Sequence, residues 1–131
     1  QRDDSEAERA VALKCGRVEM FYDFAISSRK FAGESWEAIC RSIVDALPEK
    51  VYISFDIDAL SIEFCPNTGT PVAGGLSFNE AVWLLRQVVE SGRRIVGFDL
   101  CEVAPAREGS TDANVGARIL FKLCGLTPRS N

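Results

Sequence analysis

Two short apolar runs, residues 51–57 and 94–100, with a helical pattern between them, constrain this chain more than any other feature. The first run places Val51, Ile53, Phe55 and Ile57 on one face of a strand. The second is nearly continuous in apolar residues, as a buried parallel strand should be. Between them, Ser77 and Glu80 stand at capping-box spacing and open a helix over 78–90 that Gly92 closes. Strand, helix and strand in that order predict a parallel pair joined by a right-handed crossover.

The rest of the chain extends this reading to the order αβαβαβα. Ser5 and Glu8 form a second capping-box signal for a helix over 5–13, with Gly16 as its stop. Residues 17–24 read as a strand. Trp36, Ile39, Cys40, Ile43, Val44 and Leu47 recur at helical spacing until Pro48 ends the pattern. A last helix is expected over 112–124, ending at Gly125. Trp36 and Trp83 read as core residues, Arg93 and Arg94 as a solvated junction. Three strands are few, since ordinary sheets hold about five or six. The chain therefore reads as part of a larger domain.

Chemistry gathers where the first strand ends. Asp56 and Asp58 sit at i and i+2, which on a strand puts both carboxylates on one face. Two adjacent carboxylates repel unless a cation lies between them. Open α/β sheets bind ligands beyond the carboxyl ends of their strands, and the pair falls there. The alternative is a solvated strand end with a turn-forming Asp. A long loop follows, shaped by Pro66, Asn67, Gly69, Pro71, Gly74 and Gly75. The second strand likewise ends in Asp99 and Glu102, each of which could face the same crevice, hold a cationic substrate or cap a helix. Asp112, Asn114 and Arg118 read as capping and surface pairing.

Composition removes several function classes. A net charge of −4 without a basic cluster argues against nucleic acid. No uncharged apolar stretch approaches ~20 residues, so no membrane-spanning helix is expected, and no signal peptide is read at the start. Five cysteines, odd in number and without a C-x-x-C pair, suggest buried thiols in a reducing cytoplasm. The absence of histidine removes Ser-His-Asp and Cys-His catalysis and the commonest nitrogen ligand for a metal.

Three segments together carry a resemblance: Ser54-Phe55-Asp56-Ile57-Asp58-Ala59-Leu60, then Thr68-Gly69-Thr70-Pro71-Val72-Ala73-Gly74-Gly75-Leu76-Ser77, then Gly97-Phe98-Asp99-Leu100-Cys101-Glu102-Val103. In that order they resemble the C-terminal signatures of the ureohydrolases, the family of arginases and agmatinases. The segment Asp112-Ala113-Asn114-Val115-Gly116-Ala117-Arg118 is similar to that family's last helix, and residues 2–8 lean toward the agmatinase branch. The resemblance implies a three-layer αβα fold with a parallel sheet, residues 1–131 being the C-terminal part of one ureohydrolase domain. It implies a pair of manganese ions, with Asp56 and Asp58 matching the last two metal-binding aspartates. It also implies that Glu102 receives a substrate guanidinium and that Thr70 lines the substrate pocket. The implied reaction hydrolyses a guanidino compound, of agmatine or arginine type, to urea and an amine. The implied assembly is a trimer or hexamer, in the cytoplasm.

The chain departs from the family in two ways. Motifs of the Gly-Gly-Asp-His and Asp-Ala-His-x-Asp type, which supply the other metal ligands, do not occur, nor does the family's proton-shuttling histidine. Ser61-Ile62 stands where Asp-Pro usually follows Asp58-Ala59-Leu60. By itself the chain is therefore expected to be inactive. The rival reading is a non-catalytic relative that keeps the fold for assembly or regulation.

Overall fold

The computed structural model describes residues 5–105 and 110–130. The chain divides into two compact units, residues 1–46 and 47–131. Among its described residues the first unit holds three helices: α1 (Glu6–Cys15), α2 (Asp23–Phe31) and α3 (Trp36–Asp45). Both ends of the expected capping box at Ser5 are made. Ser5 Oγ accepts from Glu8 N at 3.2 Å, and Ser5 N donates to Glu8 Oε2 at 2.7 Å. Arg29 ties α2 to the segment after it through Glu34 at 2.6 Å, and to α3 through Ser42 at 3.0 Å. On α3 the buried positions are Ile39, Cys40 and Val44, as the helical pattern predicts.

The strand expected over 17–24 is not formed. Residues 17–22 find no ladder partner among the described residues, and the chain turns helical at Asp23, inside the expected span. A strand depends on a neighbour for its backbone hydrogen bonds, so its apolar alternation is insufficient alone.

The second unit is built on two strands, β1 (Lys50–Asp56) and β2 (Arg94–Cys101), which pair in parallel. Helix α4 (Phe78–Glu90) connects them, and α5 (Thr111–Leu126) follows β2. Among the described residues the sheet thus has two strands rather than the three expected. Ser77 and Glu80 complete the capping box of α4. The core joins Phe55 and Ile57 to Ala81 and Leu85 of α4 and to Val115, Ile119 and Leu123 of α5. One face of the pair is covered by these helices, while Tyr52 of β1 is 59% exposed. A register shift after Val51 sets Tyr52 against Gly97, where a Cβ would lie 2.9 Å from the Tyr52 ring. Only glycine fits there without a shift.

Three smaller expectations are revised. Trp83 is 40% exposed, with Arg86 over its ring, rather than in the core. Helix α5 runs through Gly125 to Leu126. Only Cys40 and Cys65 are buried; Cys15, Cys101 and Cys124 are exposed, and none of the five forms a disulfide. No helix among the described residues is long and apolar enough to cross a membrane.

Candidate metal and substrate site

Parallel pairing brings both strand ends to one edge of the second unit. Asp56 pairs in register with Cys101, so Glu102 lies one residue beyond the partner of Asp56. Asp58 joins them by a route different from strand alternation. The strand stops at Asp56, and residues 57–59 form a 3₁₀ turn. Asp56 caps that turn: its Oδ1 accepts from the Asp58 N–H at 3.0 Å.

The electrostatics show crowding of like charge. Burial raises the Asp56 carboxyl above its ordinary range. The Asp58 N–H opposes that shift, while the charges of Asp58 and Glu102 reinforce it. All three carboxylates therefore act on one region. Asp99 lies on β2, two residues before Cys101. The Ser54 hydroxyl at 2.8 Å, then the Cys101 thiol at 3.2 Å and the Tyr52 hydroxyl, hold its carboxyl below the usual range. Asp99 is thus engaged with the sheet surface.

The loop between Leu60 and Leu76 closes the site. Its base is a parallel bridge between those two leucines, with Ser61 N donating to Leu76 O at 2.8 Å and Leu76 N to Ala59 O at 3.0 Å. Gly74 and Gly75 turn the chain back at φ 93° and 97°, a region that favours glycine. Ser61, in the place of the usual Asp, contributes its backbone to this base. At the tip, Thr70 Oγ1 donates to Asp58 Oδ2 at 2.8 Å, and buried Thr68 donates from Oγ1 to the Glu102 carbonyl at 3.1 Å. Between them, a Cβ on Gly69 would stand 2.9 Å from Glu102 Oε2. Glu102 itself has φ 61°, the one non-glycine among the described residues in the left-handed region.

The structure therefore brings Asp56, Asp58, Thr70 and Glu102 together. It also adds residues that sequence reasoning passed over. Asp112, read as a cap, is fully buried and accepts from Asn67 N at 3.0 Å and Asn67 Nδ2 at 2.7 Å. A signal for it existed: 112, 115, 116, 119 and 123 are in helical phase, and all are buried. Gly116 lets α5 approach the segment after β2, since a Cβ there would meet Val103 at 2.9 Å.

The sequence profile of the arginase family matches residues 5–125. The chain belongs to that family. Among relatives of this arginase-family chain, the N(1)-aminopropylagmatine ureohydrolase of Thermococcus kodakarensis is 46% identical over 83 residues, 63% of this chain and 28% of that protein. The agmatinase of Pyrococcus horikoshii is 37% identical over 87 residues, 66% of this chain and 30% of the relative. The guanidinopropionase of Pseudomonas aeruginosa is 34% identical over 129 residues, 98% of this chain and 37% of its own. This chain thus spans about a third of the length of these relatives. Its fold matches the proclavaminate amidino hydrolase of Streptomyces clavuligerus with a TM-score of 0.76 at 26% identity, covering all of this chain and 40% of the other. It matches the arginase of Bacillus caldovelox with a TM-score of 0.77 at 23% identity, over 95% and 40% of the two chains. The arginase-like α/β fold expected from the sequence is therefore the observed one, carried here by two strands.

Proposed function

We propose that this arginase-family chain supplies part of the active site of an agmatinase-type ureohydrolase, which hydrolyses a guanidino compound to urea and an amine. The observation that carries this reading is the convergence of Asp56, Asp58 and Glu102, with Thr70, at the carboxyl ends of two parallel strands. Manganese is the cation the family implies. The local donors suit it in kind, because carboxylate oxygens are preferred by Mn²⁺. Burial is the main cause of the raised Asp56 carboxyl, and the charges of Asp58 and Glu102, which push it the same way, are what a bound cation would offset. The set is short in number, since no group of three His, Cys, Asp or Glu among the described residues could hold a metal ion. Asp56 and Asp58 would hold part of a manganese pair, which when bound would lower the pKa of water and so supply a nucleophile at neutral pH.

The chain's own residues supply recognition and order. Glu102 presents a carboxylate to a planar cation, a pairing that favours two parallel charge-assisted hydrogen bonds. Thr70, hydrogen-bonded to Asp58, fixes that carboxylate and borders the substrate. Agmatine-type compounds are favoured as substrate by two of the relatives, at 46% and 37% identity, which are named for agmatine or its derivative.

The test joins this segment to the remaining ligand-bearing portion of a ureohydrolase and substitutes one residue at a time. Asp56→Ala should lose manganese and turnover together. Glu102→Ala should keep its manganese and lose kcat/KM by about a hundredfold or more, since each charge-assisted hydrogen bond contributes roughly 1.5–3 kcal/mol. Loss of metal from both variants would contradict the role given to Glu102. A metal-loaded protein without urea release would favour the assembly role instead.

A further inference from the structure

We propose that Asp112 is a positioning residue for this site, acting through Asn67 and the loop tip to hold both Glu102 and Asp58 in place. The proposal rests on the reading of Glu102 as the guanidinium acceptor. Asp112 is wholly buried in the first turn of α5, yet it does not cap that helix. Capping falls to Ser110, whose Oγ accepts from Ala113 N at 3.4 Å. The Asp112 carboxylate points instead at the loop and takes both the backbone N–H and the side-chain amide of Asn67. A buried carboxylate needs such donors, and the helix N-terminus adds favourable field.

The three residues after Asn67 then carry this anchorage to the site. Thr68 Oγ1 holds the Glu102 carbonyl, which fixes the backbone that aims the Glu102 side chain. Gly69 lies against the Glu102 carboxylate. Thr70 holds the Asp58 carboxylate. One buried group in α5 is thereby linked, through consecutive loop residues, to a proposed metal ligand and to the proposed substrate ligand. A purely structural Asp would stabilise α5 and leave the loop tip unaffected.

The experiment compares the 131-residue chain with Asp112→Ala and with the exchanged pair Asn67→Asp plus Asp112→Asn. The exchanged pair retains an acceptor for the residue 67 N–H and reverses the side-chain hydrogen bond. Two readouts are taken by NMR: amide exchange, and the response of the Glu102 carboxyl carbon to added agmatine. Asp112→Ala should speed exchange at Asn67 and Thr68 by about tenfold or more, with Ile119 and Leu123 in α5 little changed. The Glu102 response should fall severalfold, and the exchanged pair should restore both. Unchanged exchange at the loop, or a loosened loop with an unchanged Glu102 response, would overturn the proposal. If α5 itself loosens in Asp112→Ala, the exchanged pair decides, and recovery of α5 without the loop also overturns it. A wild-type chain in which agmatine leaves Glu102 unmoved contradicts the guanidinium reading instead. The exchange pattern alone then decides the positioning role.

Discussion

Glu102 keeps a left-handed backbone at φ 61°, where an L-residue costs roughly 1–2 kcal/mol. That cost is local, and the Thr68 hydrogen bond to its carbonyl helps to meet it. Replacing the residue separates fold from function. Glu102→Gly should leave the second unit as stable or raise its stability by up to about 1 kcal/mol, because glycine accepts this backbone freely. It should also abolish agmatine binding, read from the Thr70 and Asp58 amide signals. Urea denaturation and agmatine titration together check this, and clear destabilisation would mean that the carboxylate serves the fold. Gly69 makes a complementary case. Gly69→Ala adds a methyl 2.9 Å from Glu102 Oε2, the movable end of a side chain. Stability should change by less than about 1 kcal/mol, while agmatine binding weakens severalfold. Equal binding in both proteins would show that the Glu102 carboxylate does not need the space beside Gly69.

At the scale of elements, two glycines in α5 should respond in opposite ways to the same change. Gly125 has nothing within 4 Å of its added Cβ, so Gly125→Ala should stabilise by roughly 0.5–1 kcal/mol through helix propensity. Gly116→Ala gains the same propensity but drives a methyl into the stiff, branched Val103, so it should destabilise by about 1–3 kcal/mol. Thermal unfolding of both variants checks the pair. In the first unit, Arg29 holds Glu34 below its ordinary value of 4.5, first by hydrogen bonding and then by charge. A depressed carboxyl contributes stability above its unfolded value and loses it as pH falls through the folded one. In Arg29→Ala, a carboxyl NMR titration should find the Glu34 midpoint raised, and an unchanged midpoint would contradict the pairing. The elements legible in the sequence were α3, β1, α4, β2 and α5, whose periodicity meets a partner within the chain, together with α1, which its capping box marks. Residues 17–24 carried the pattern of a strand without the neighbour to pair with, and so α2 went unread. Gly125 read as a stop, yet α5 continues past it. At the site, Asp56, Asp58 and Glu102 were legible as types at strand ends. The 3₁₀ turn that unites the two aspartates was not, because a strand and a tight turn both bring i and i+2 together. Asp112 was legible in phase and hidden by its chemistry, since a polar residue at a helix start usually caps.

The chain spans about a third of the length of its arginase-family relatives and brings like-charged carboxylates together at its strand ends. Two aspartates leave most of a manganese coordination sphere to water, so the chain by itself should bind Mn²⁺ weakly and release no urea from agmatine. Urea production by the purified chain would show that other residues suffice. The central claim is that Asp56, Asp58, Thr70 and Glu102 form one site. Paramagnetic broadening by added Mn²⁺, mapped on the NMR spectrum of the chain, tests it most directly. Signals of Asp56, Asp58 and Thr70 should broaden first, Glu102 close behind, and Glu34, Glu37 and Glu90 only at much higher metal. Broadening that begins at those surface carboxylates, or that separates Glu102 from the two aspartates, would contradict the account.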